Sequence, residues 1–171
     1  NIKQKNILID EFLNIKLADF STSINYKTLN CINLPLVGTN YYMSPEVLNK
    51  RKIISSEASK TDIYSLGVLL YNLAFGDYPY KVGEVYSKDF AQIAKNIKEL
   101  NLVFPGNNRL SKAFFDFLKK CLNKDIKQRY DISQAMNDAW FKGYQIILDE
   151  KEKLDNVYKF LTDLINDNLI H

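Results

Sequence analysis

Three polar residues near the start of the chain have types and a spacing that could serve chemistry on a phosphate group. Asn1 and Asn6 stand five residues apart in NIKQKNILID, and Asp19 follows thirteen residues later in LADFSTS. Carboxylate and amide oxygens are hard ligands of the kind that Mg²⁺ prefers, and phosphoryl transfer depends mainly on positioning and charge stabilisation. Each short pattern alone is weak, because asparagine and aspartate also make ordinary turns. The joint spacing is the informative feature.

A second group of signals lies further along the chain and is independent of the first. Glu46 follows Ser-Pro in GTNYYMSPEVL, Asp62 stands in KTDIYSLGVLLYNLAFG, and Arg129 lies in NKDIKQRYDISQAM. A guanidinium group suits a poorly solvated carboxylate because it donates two parallel hydrogen bonds. Taken singly, Glu46 and Arg129 are better explained as a surface ion pair of small energy, and Asp62 as a helix cap.

In their order and spacing, these elements resemble the large lobe of a protein kinase, from the catalytic loop through the metal-binding turn to the A-P-E element and the later helices. The resemblance covers residues 1 to about 143. It implies a mainly α fold with a short N-terminal β-hairpin. Lys3 falls where serine/threonine kinases keep a lysine that touches the transferring phosphate, and Thr39 in the GT pair fits the same branch.

The resemblance also implies a role for the other positions. Asn6 and Asp19 would bind Mg²⁺, and Asp19 would bridge the metal and the phosphates of ATP. Leu8, on the first strand of the hairpin, would lie under the adenine. Among the supporting residues, Glu46 would pair with Arg129, whereas Asp62 would receive backbone N–H groups of the catalytic loop.

Asn1 departs from the family's pattern at the position of the catalytic aspartate. That aspartate accepts the proton of the substrate hydroxyl, whereas an amide carries no negative charge and cannot act as a general base. The sequence also contains no glycine-rich loop, no V-A-I-K lysine and no helix glutamate to pair with it. We therefore expect a fragment of a longer protein that lacks the small N-terminal lobe and transfers phosphate weakly or not at all.

Three interpretations follow from these residues. The first is a serine/threonine protein kinase that acts on a protein substrate. The second is a pseudokinase that binds nucleotide or serves as a scaffold for a partner protein. The third and weakest is an unrelated small helical domain, which the joint pattern of Glu46, Asp62 and Arg129 disfavours.

Apolar runs predict the elements that must position these residues. Two short runs, Ile7 to Ile9 and Ile15 to Leu17, predict the hairpin. An apolar helix near 61–75, begun by Thr61 or Asp62 and ended by Gly76, is expected at the centre of the lobe. Further helices are predicted over DFAQIAKNIKEL, from Ser111 through Cys121, and from Asp131 or Ser133 to about Trp140.

The segment from Ser21 to Thr39 shows no periodicity and contains many hydroxyl groups. By resemblance it is the activation segment, whose phosphorylation would order the loop against a basic pocket. For any single hydroxyl, a solvated loop is the better explanation. Many relatives keep a threonine four residues before the GT threonine, and here that position is Pro35, so phosphorylation at the usual site is not expected.

The composition is that of one folded domain. The chain has 171 residues, with 46% hydrophobic and 13% aromatic content, which suffices for one substantial core. Cys31 and Cys121 are far apart and indicate reduced thiols of an intracellular, cytoplasmic or nuclear protein. The net charge of +3 comes from scattered lysines, so no nucleic-acid partner is expected. No apolar run is long enough for a membrane span.

Residues 144–171 are predicted to form an amphipathic helix beyond the large lobe. Apolar residues recur at helical spacing, and acidic residues occupy the other face. The helix is expected to dock on the lobe or on a partner, with simple packing on the lobe favoured over a regulatory tail. The apolar positions are Leu154, Val157, Tyr158, Leu161, Leu164 and Ile165.

Overall fold

The computed structural model describes residues 1–12, 14–25, 30–32, 34, 40–81, 88–106 and 110–143. Thr39, most of the predicted activation segment and the predicted helix at 144–171 lie outside these residues.

A short antiparallel hairpin opens the chain, as predicted. Strand β1 (Ile7–Ile9) pairs with strand β2 (Ile15–Leu17), and Leu8 stands opposite Lys16 in the register. The Asp10 carboxylate closes the turn between them by accepting hydrogen bonds from the backbone N–H groups of Phe12, at 3.0 Å, and Asn14, at 2.8 Å. Such side-chain-to-backbone bonds are the reason that aspartate favours turns.

A second two-stranded ladder was not predicted. Strand β3 (Cys31–Ile32) pairs antiparallel with strand β4 (Ile53–Ile54), so that Cys31 faces Ile54 and Ile32 faces Ile53. Both Ile32 and Ile53 are buried. The ladder therefore ties the segment after the hairpin to the entrance of the longest helix.

Six α-helices are the main regular elements of the described chain. They are α1 (Pro45–Leu48), α2 (Ser55–Phe75), α3 (Phe90–Glu99), α4 (Lys112–Cys121), α5 (Ile132–Met136) and α6 (Ala139–Gly143). The mainly α architecture with an N-terminal hairpin is thereby confirmed. Of the two residues proposed to begin the helix that was predicted to end near Trp140, Asp131 is the cap, because its carboxylate accepts from the N–H of Gln134 at 2.8 Å and the Gln134 side chain bonds back. The predicted extent is wrong, because α5 ends at Met136 and a separate helix begins at Ala139.

The predicted start of α2 is wrong by about two turns. The helix begins at Ser55, so Thr61 and Asp62 lie in its interior, and the Thr61 hydroxyl donates to the carbonyl of Ala58 at 2.8 Å rather than capping the helix. The first turns are polar, and apolar periodicity therefore did not reveal them. The predicted end is confirmed, because Gly76 adopts a left-handed conformation with φ of 70°.

The core is built around α2. Tyr64 and Val68 of this helix are completely buried, as are Phe117 and Leu118 of α4. Gly67 allows α2 and α4 to approach closely, since a Cβ built at this glycine would lie 2.9 Å from the Cβ of Cys121. The apolar central helix of the prediction thus lies inside the lobe, where it supports the chain segments on either side of it.

Substitution of Gly67 by alanine is expected to destabilise the lobe. The added methyl would also lie 3.0 Å from Leu122, and overpacking of this kind typically costs about 1–3 kcal/mol. Urea unfolding should show the loss as a lower midpoint. Gly106→Ala is the matched control, because nothing lies within 4 Å of the position that its added methyl group would take; an equal loss in both variants would show that the contact with α4 is not the cause.

No helix within the described residues is both long enough and apolar enough to cross a membrane.

Candidate functional site

The hairpin and the residues flanking it bring Asn1, Asn6 and Asp19 together. The Asn1 side-chain amide donates to Asp19 Oδ2 at 3.0 Å, and the Asn6 amide lies 3.5 Å from the same oxygen. Asn6 also donates to the backbone carbonyl of Asn1 at 2.8 Å. Three residues separated by up to eighteen positions therefore meet at one carboxylate.

Local backbone structure explains how these side chains meet. A short 3₁₀ turn over Gln4–Asn6 leads directly into β1, and Asn6 is buried at this junction. Its carbonyl accepts from the N–H of Ala18 at 2.8 Å, which extends the pairing of β1 with β2. The chain then turns at Asp19, whose φ of 61° lies in the left-handed region. Aspartate tolerates that region better than most residues do, and the turn directs its carboxylate back to Asn6.

Ser21 is a member of this cluster that the sequence did not identify as a partner of Asp19. Its hydroxyl donates to Asp19 Oδ1 at 2.5 Å, and its backbone N–H lies 3.4 Å from the same oxygen. A hydroxyl two residues after an aspartate is the common signature of such a local turn, so the D-F-S triplet contained the signal. Ser21 holds one carboxylate oxygen while the two asparagines approach the other.

These contacts keep Asp19 ionised. The hydrogen bonds from the Ser21 hydroxyl and backbone are the main cause that lowers the pKa of the carboxyl group below its usual value, and the charge of Lys3 and the Asn6 amide act in the same direction. A lowered folded-state pKa means that the carboxylate favours folding above the pKa of the unfolded chain, and that this contribution is lost as the pH falls through the folded-state pKa. At neutral pH an anionic oxygen donor is available.

The cluster fits a Mg²⁺ ion that is shared with a bound phosphate. Within the described ranges, no group of three or more His, Cys, Asp or Glu residues could hold a metal by itself. Magnesium, however, is usually held by one or two carboxylates together with substrate phosphates and water. Asp19 could supply such a carboxylate, and the Asn6 side chain, which lies beside it, could supply an amide oxygen.

The hairpin presents an apolar surface next to this cluster. Leu8 is 52% exposed although it is a large aliphatic residue. It shares this exposure with the other apolar residues of the two strands, namely Ile9, Ile15 and Leu17. In the register of the hairpin, Ile9, Ile15 and Leu17 lie on one side and Leu8 on the other. Exposed apolar residues of this kind are typical of a surface that binds another element.

Glu46 and Arg129 form a buried ion pair. Arg129 Nη1 donates to Glu46 Oε1 at 2.7 Å and Nη2 to Oε2 at 2.9 Å, in the bidentate geometry. Arg129 also donates to the carbonyls of Lys60 and Asn123, and its guanidinium lies 4.9 Å from the ring centre of Tyr64. Both charged residues are buried, so the alternative of a surface pair does not hold. The pair joins α1 to the segment before α5 across α2.

Asp62 lies apart from the Asp19 cluster, in the wall of a cavity of about 250 Å³ that Asn1 also lines. The residue as a whole is exposed, yet desolvation by surrounding atoms raises the pKa of its carboxyl group. No backbone N–H from the described part of the catalytic loop donates to Asp62. The contact implied by the resemblance is therefore not formed by these residues.

A serine of α2 fixes another segment that lines the same cavity. The Ser65 hydroxyl donates to the carbonyl of Tyr42 at 2.7 Å, which fixes the 3₁₀ turn over Asn40–Tyr42 against the central helix. Ser44, which follows this turn, is buried and has no hydrogen-bond partner for its hydroxyl within the described residues. The segment before Pro45 is thus held on the same helix that contains Asp62, whereas the place of Thr39 stays a prediction.

Comparison with known proteins agrees with this arrangement. Residues 1–141 match the family described as the protein kinase domain. The chain is 31% identical over 148 residues to dual specificity mitogen-activated protein kinase kinase 7 of Mus musculus, covering 86% of this chain and 27% of that protein. It is also 31% identical over 142 residues to serine/threonine-protein kinase pakB of Dictyostelium discoideum, covering 83% of this chain and 16% of that protein.

A third relative is the dual specificity mitogen-activated protein kinase kinase jkk-1 of Caenorhabditis elegans, 31% identical over 145 residues that cover 84% of this chain and 33% of that protein. The chain thus spans a third or less of the length of these relatives. The matched region includes the Asp19 cluster, the Glu46–Arg129 pair, helices α1 to α5 and the first three residues of α6. The chain therefore belongs to the protein kinase family.

Proposed function

We propose that this chain is the large lobe of a protein kinase whose reaction is phosphoryl transfer from Mg-ATP to a serine or threonine of a protein substrate. The observation that carries the proposal is the meeting of Asn1, Asn6 and Asp19 at one carboxylate, in the order and spacing of the family's catalytic loop and metal-binding turn. Members of the family use ATP and Mg²⁺ in general. The protein substrate and the pathway are left open.

Each residue of the cluster has a separate task in this proposal. Asp19 and Asn6 would provide the oxygen atoms that hold the metal, and the metal would neutralise charge on the phosphates. Lys3 places a positive charge close enough to influence Asp19, and is suited to contact the transferring phosphate. The exposed Leu8 provides a flat apolar surface for the adenine ring. Ser21 keeps the Asp19 carboxylate in its orientation.

Asn1 leads us to propose that the transfer step is weak or lost in this chain. Its amide nitrogen donates to Asp19, whereas a general base must accept a proton from the substrate hydroxyl. An amide has no basic site of useful strength. The remaining residues would still position nucleotide and metal.

The second candidate function is that of a pseudokinase, which binds nucleotide or a partner protein without transferring phosphate. The same hydrogen bond favours this candidate, because the Asn1 amide stabilises the Asp19 carboxylate as a neutral donor and supplies no base. The two candidates differ in one measurable property, since only a kinase transfers phosphate to a protein substrate.

We further propose that a small, β-rich lobe precedes Asn1 and covers the side of the hairpin that carries Ile9, Ile15 and Leu17. Burial of that side would remove these three exposed side chains from water. We also propose an intracellular protein whose activation segment lies between Ser21 and Thr39.

Loss of the Asp19 charge is expected to weaken nucleotide binding only when magnesium is present. In the protein that includes the small lobe, Asp19→Asn should lower the affinity for ATP with Mg²⁺ by about tenfold or more, because one charge-assisted contact to the metal is removed. Isothermal titration calorimetry with and without Mg²⁺ measures the effect. Asp116→Asn, on exposed α4, is the control. Equal affinity of Asp19→Asn and the unchanged protein for Mg-ATP would contradict the proposed metal site.

A further inference from the structure

An apolar surface is exposed where the described chain ends. Ile132 is 57% exposed, Met136 is 55% exposed and Phe141 is 37% exposed. Ile132 and Met136 lie four residues apart on α5 and therefore on one side of that helix, while Phe141 lies on α6, which packs against α5. These three residues are called the α5–α6 patch below.

The core does not account for the apolar character of this patch. The buried residue of α5 is Ala135, which packs with Phe117 and Cys121 on the inner side of the helix. Phe141 contacts Phe117 with ring centres 5.8 Å apart, yet more than a third of its surface faces water. Helix α5 is thus apolar on both sides, and a short helix of this kind is typical of an element that lies between two layers.

A segment of suitable length and pattern follows directly. Residues 144–171 begin immediately after α6, and apolar residues recur at 154, 157, 158, 161, 164 and 165. If helical, these positions form a single stripe about 17 Å long at 1.5 Å per residue, which is long enough to cover the patch. The ten residues from 144 to 153 span up to about 33 Å when extended, so the chain can reverse and bring the stripe back over α5.

The distribution of charge also favours docking of residues 144–171 on the rest of the chain. Residues 144–171 contain six Asp or Glu and three Lys, a net charge of −3, whereas the whole chain carries +3, so residues 1–143 carry +6. Lys120 of α4 lies beside the patch, since its ammonium group donates to Asp138 of the α5–α6 junction at 2.9 Å. An acidic segment and a lobe of opposite net charge attract each other, which favours docking within one molecule.

We propose that residues 150–168 form a helix that docks in cis on the α5–α6 patch, with Leu154, Val157, Leu161 and Leu164 facing Ile132 and Met136. This segment then covers the outer side of α5 in the same molecule. The interaction extends beyond nucleotide binding and phosphoryl transfer, and does not depend on either.

Hydrogen exchange of the full chain, followed by mass spectrometry of peptides, tests the docking. Backbone amides of residues 154–165 are expected to exchange at least about tenfold more slowly in the unchanged chain than in Leu161→Asp or Met136→Glu, because each variant places a charge in the apolar contact. Two matched controls should exchange like the unchanged chain. Asn156→Asp adds a charge on the opposite side of the predicted tail helix, and Leu73→Glu adds one at an exposed apolar residue of α2.

Slow exchange in α4 serves as the internal check that each variant is folded. If Met136→Glu fails this check, the exchange rates of Leu161→Asp alone test the docking.

Three results would overturn the proposal. The first is fast exchange at 154–165 in the unchanged chain. The second is protection that Leu161→Asp leaves intact. The third is protection that disappears on dilution, which would instead show contact between two copies.

Discussion

Replacing Asn1 by aspartate should raise the rate of phosphoryl transfer by about 10²- to 10⁴-fold, the usual contribution of a positioned general base. The gain is expected in the protein that includes the small lobe, because the large lobe alone lacks part of the proposed nucleotide site. The measurement is the turnover number kcat for transfer to a protein substrate, at saturating Mg-ATP. Asp19 and Asn6 are both retained, so at saturating magnesium the KM for Mg-ATP should change much less than kcat.

The geometry of the cluster adds a requirement to this result. The Asn1 amide lies 3.0 Å from Asp19 Oδ2, so an aspartate in its place would put two carboxylates side by side. Like charges at this distance raise the pKa of one of them. A bound Mg²⁺ relieves the repulsion, and the rate gain should therefore require saturating magnesium and should diminish at low pH, where the new carboxyl group is protonated.

Asn1→Ala separates the two effects of the substitution. It removes the hydrogen bond to Asp19 without adding a base, and no gain in kcat is expected. If Asn1→Asp binds Mg-ATP but is no faster than Asn1→Ala, then the residue at this position is not the limiting defect, and the pseudokinase candidate is favoured.

Sequence alone predicted the elements whose apolar residues repeat. The strands of the hairpin and the bounds of α4 correspond to the runs read from Ile7–Ile9, Ile15–Leu17 and Ser111 to Cys121. In these places local propensity, capping residues and burial all favour the same conformation. The family could also be recognised, because its polar residues keep their order and spacing.

Two features could not be predicted because their cause is tertiary. The ladder of β3 and β4 has only two residues in each strand, separated by twenty residues from Ile32 to Ile53. A pattern of period two cannot be seen in so short a strand, and burial of the two isoleucines decides the pairing. The first turns of α2, over SSEASK, could not be predicted either. Ala58 is the buried residue among them, so they show no repeating apolar pattern.

The candidate site could likewise be predicted only in part from the sequence. The positions of Asn1, Asn6 and Asp19 follow from spacing, but the direction of each side chain does not. The Asn1 amide is directed to Asp19 rather than towards Asp62, and Ser21 takes the second carboxylate oxygen. Such choices depend on which donors lie within hydrogen-bond distance after the hairpin has formed, and no pattern of residue types contains that information.

Removal of either member of the Glu46–Arg129 pair should destabilise the lobe by about 3–5 kcal/mol. Each single variant, Glu46→Ala or Arg129→Ala, leaves the other charge buried without its main partner, because both residues are almost completely shielded from water. Arg129→Ala also frees the carbonyls of Lys60 and Asn123, so it should be the more destabilising of the two. The free energy of unfolding in urea measures both losses.

A double variant distinguishes the attraction within the pair from the cost of an unpaired charge. Glu46→Met combined with Arg129→Leu fills much of the space with apolar atoms, and should lose less than the sum of the two single changes, because no buried charge remains. Lys112→Ala is the control, since its partner Asp116 and Lys112 itself lie on the exposed side of α4, and such a pair contributes at most about 1 kcal/mol. If the single variants at Glu46 and Arg129 lose no more than Lys112→Ala, the buried pair does not hold α1 and the segment before α5 together, and the packing around Tyr64 and Val68 must hold them instead.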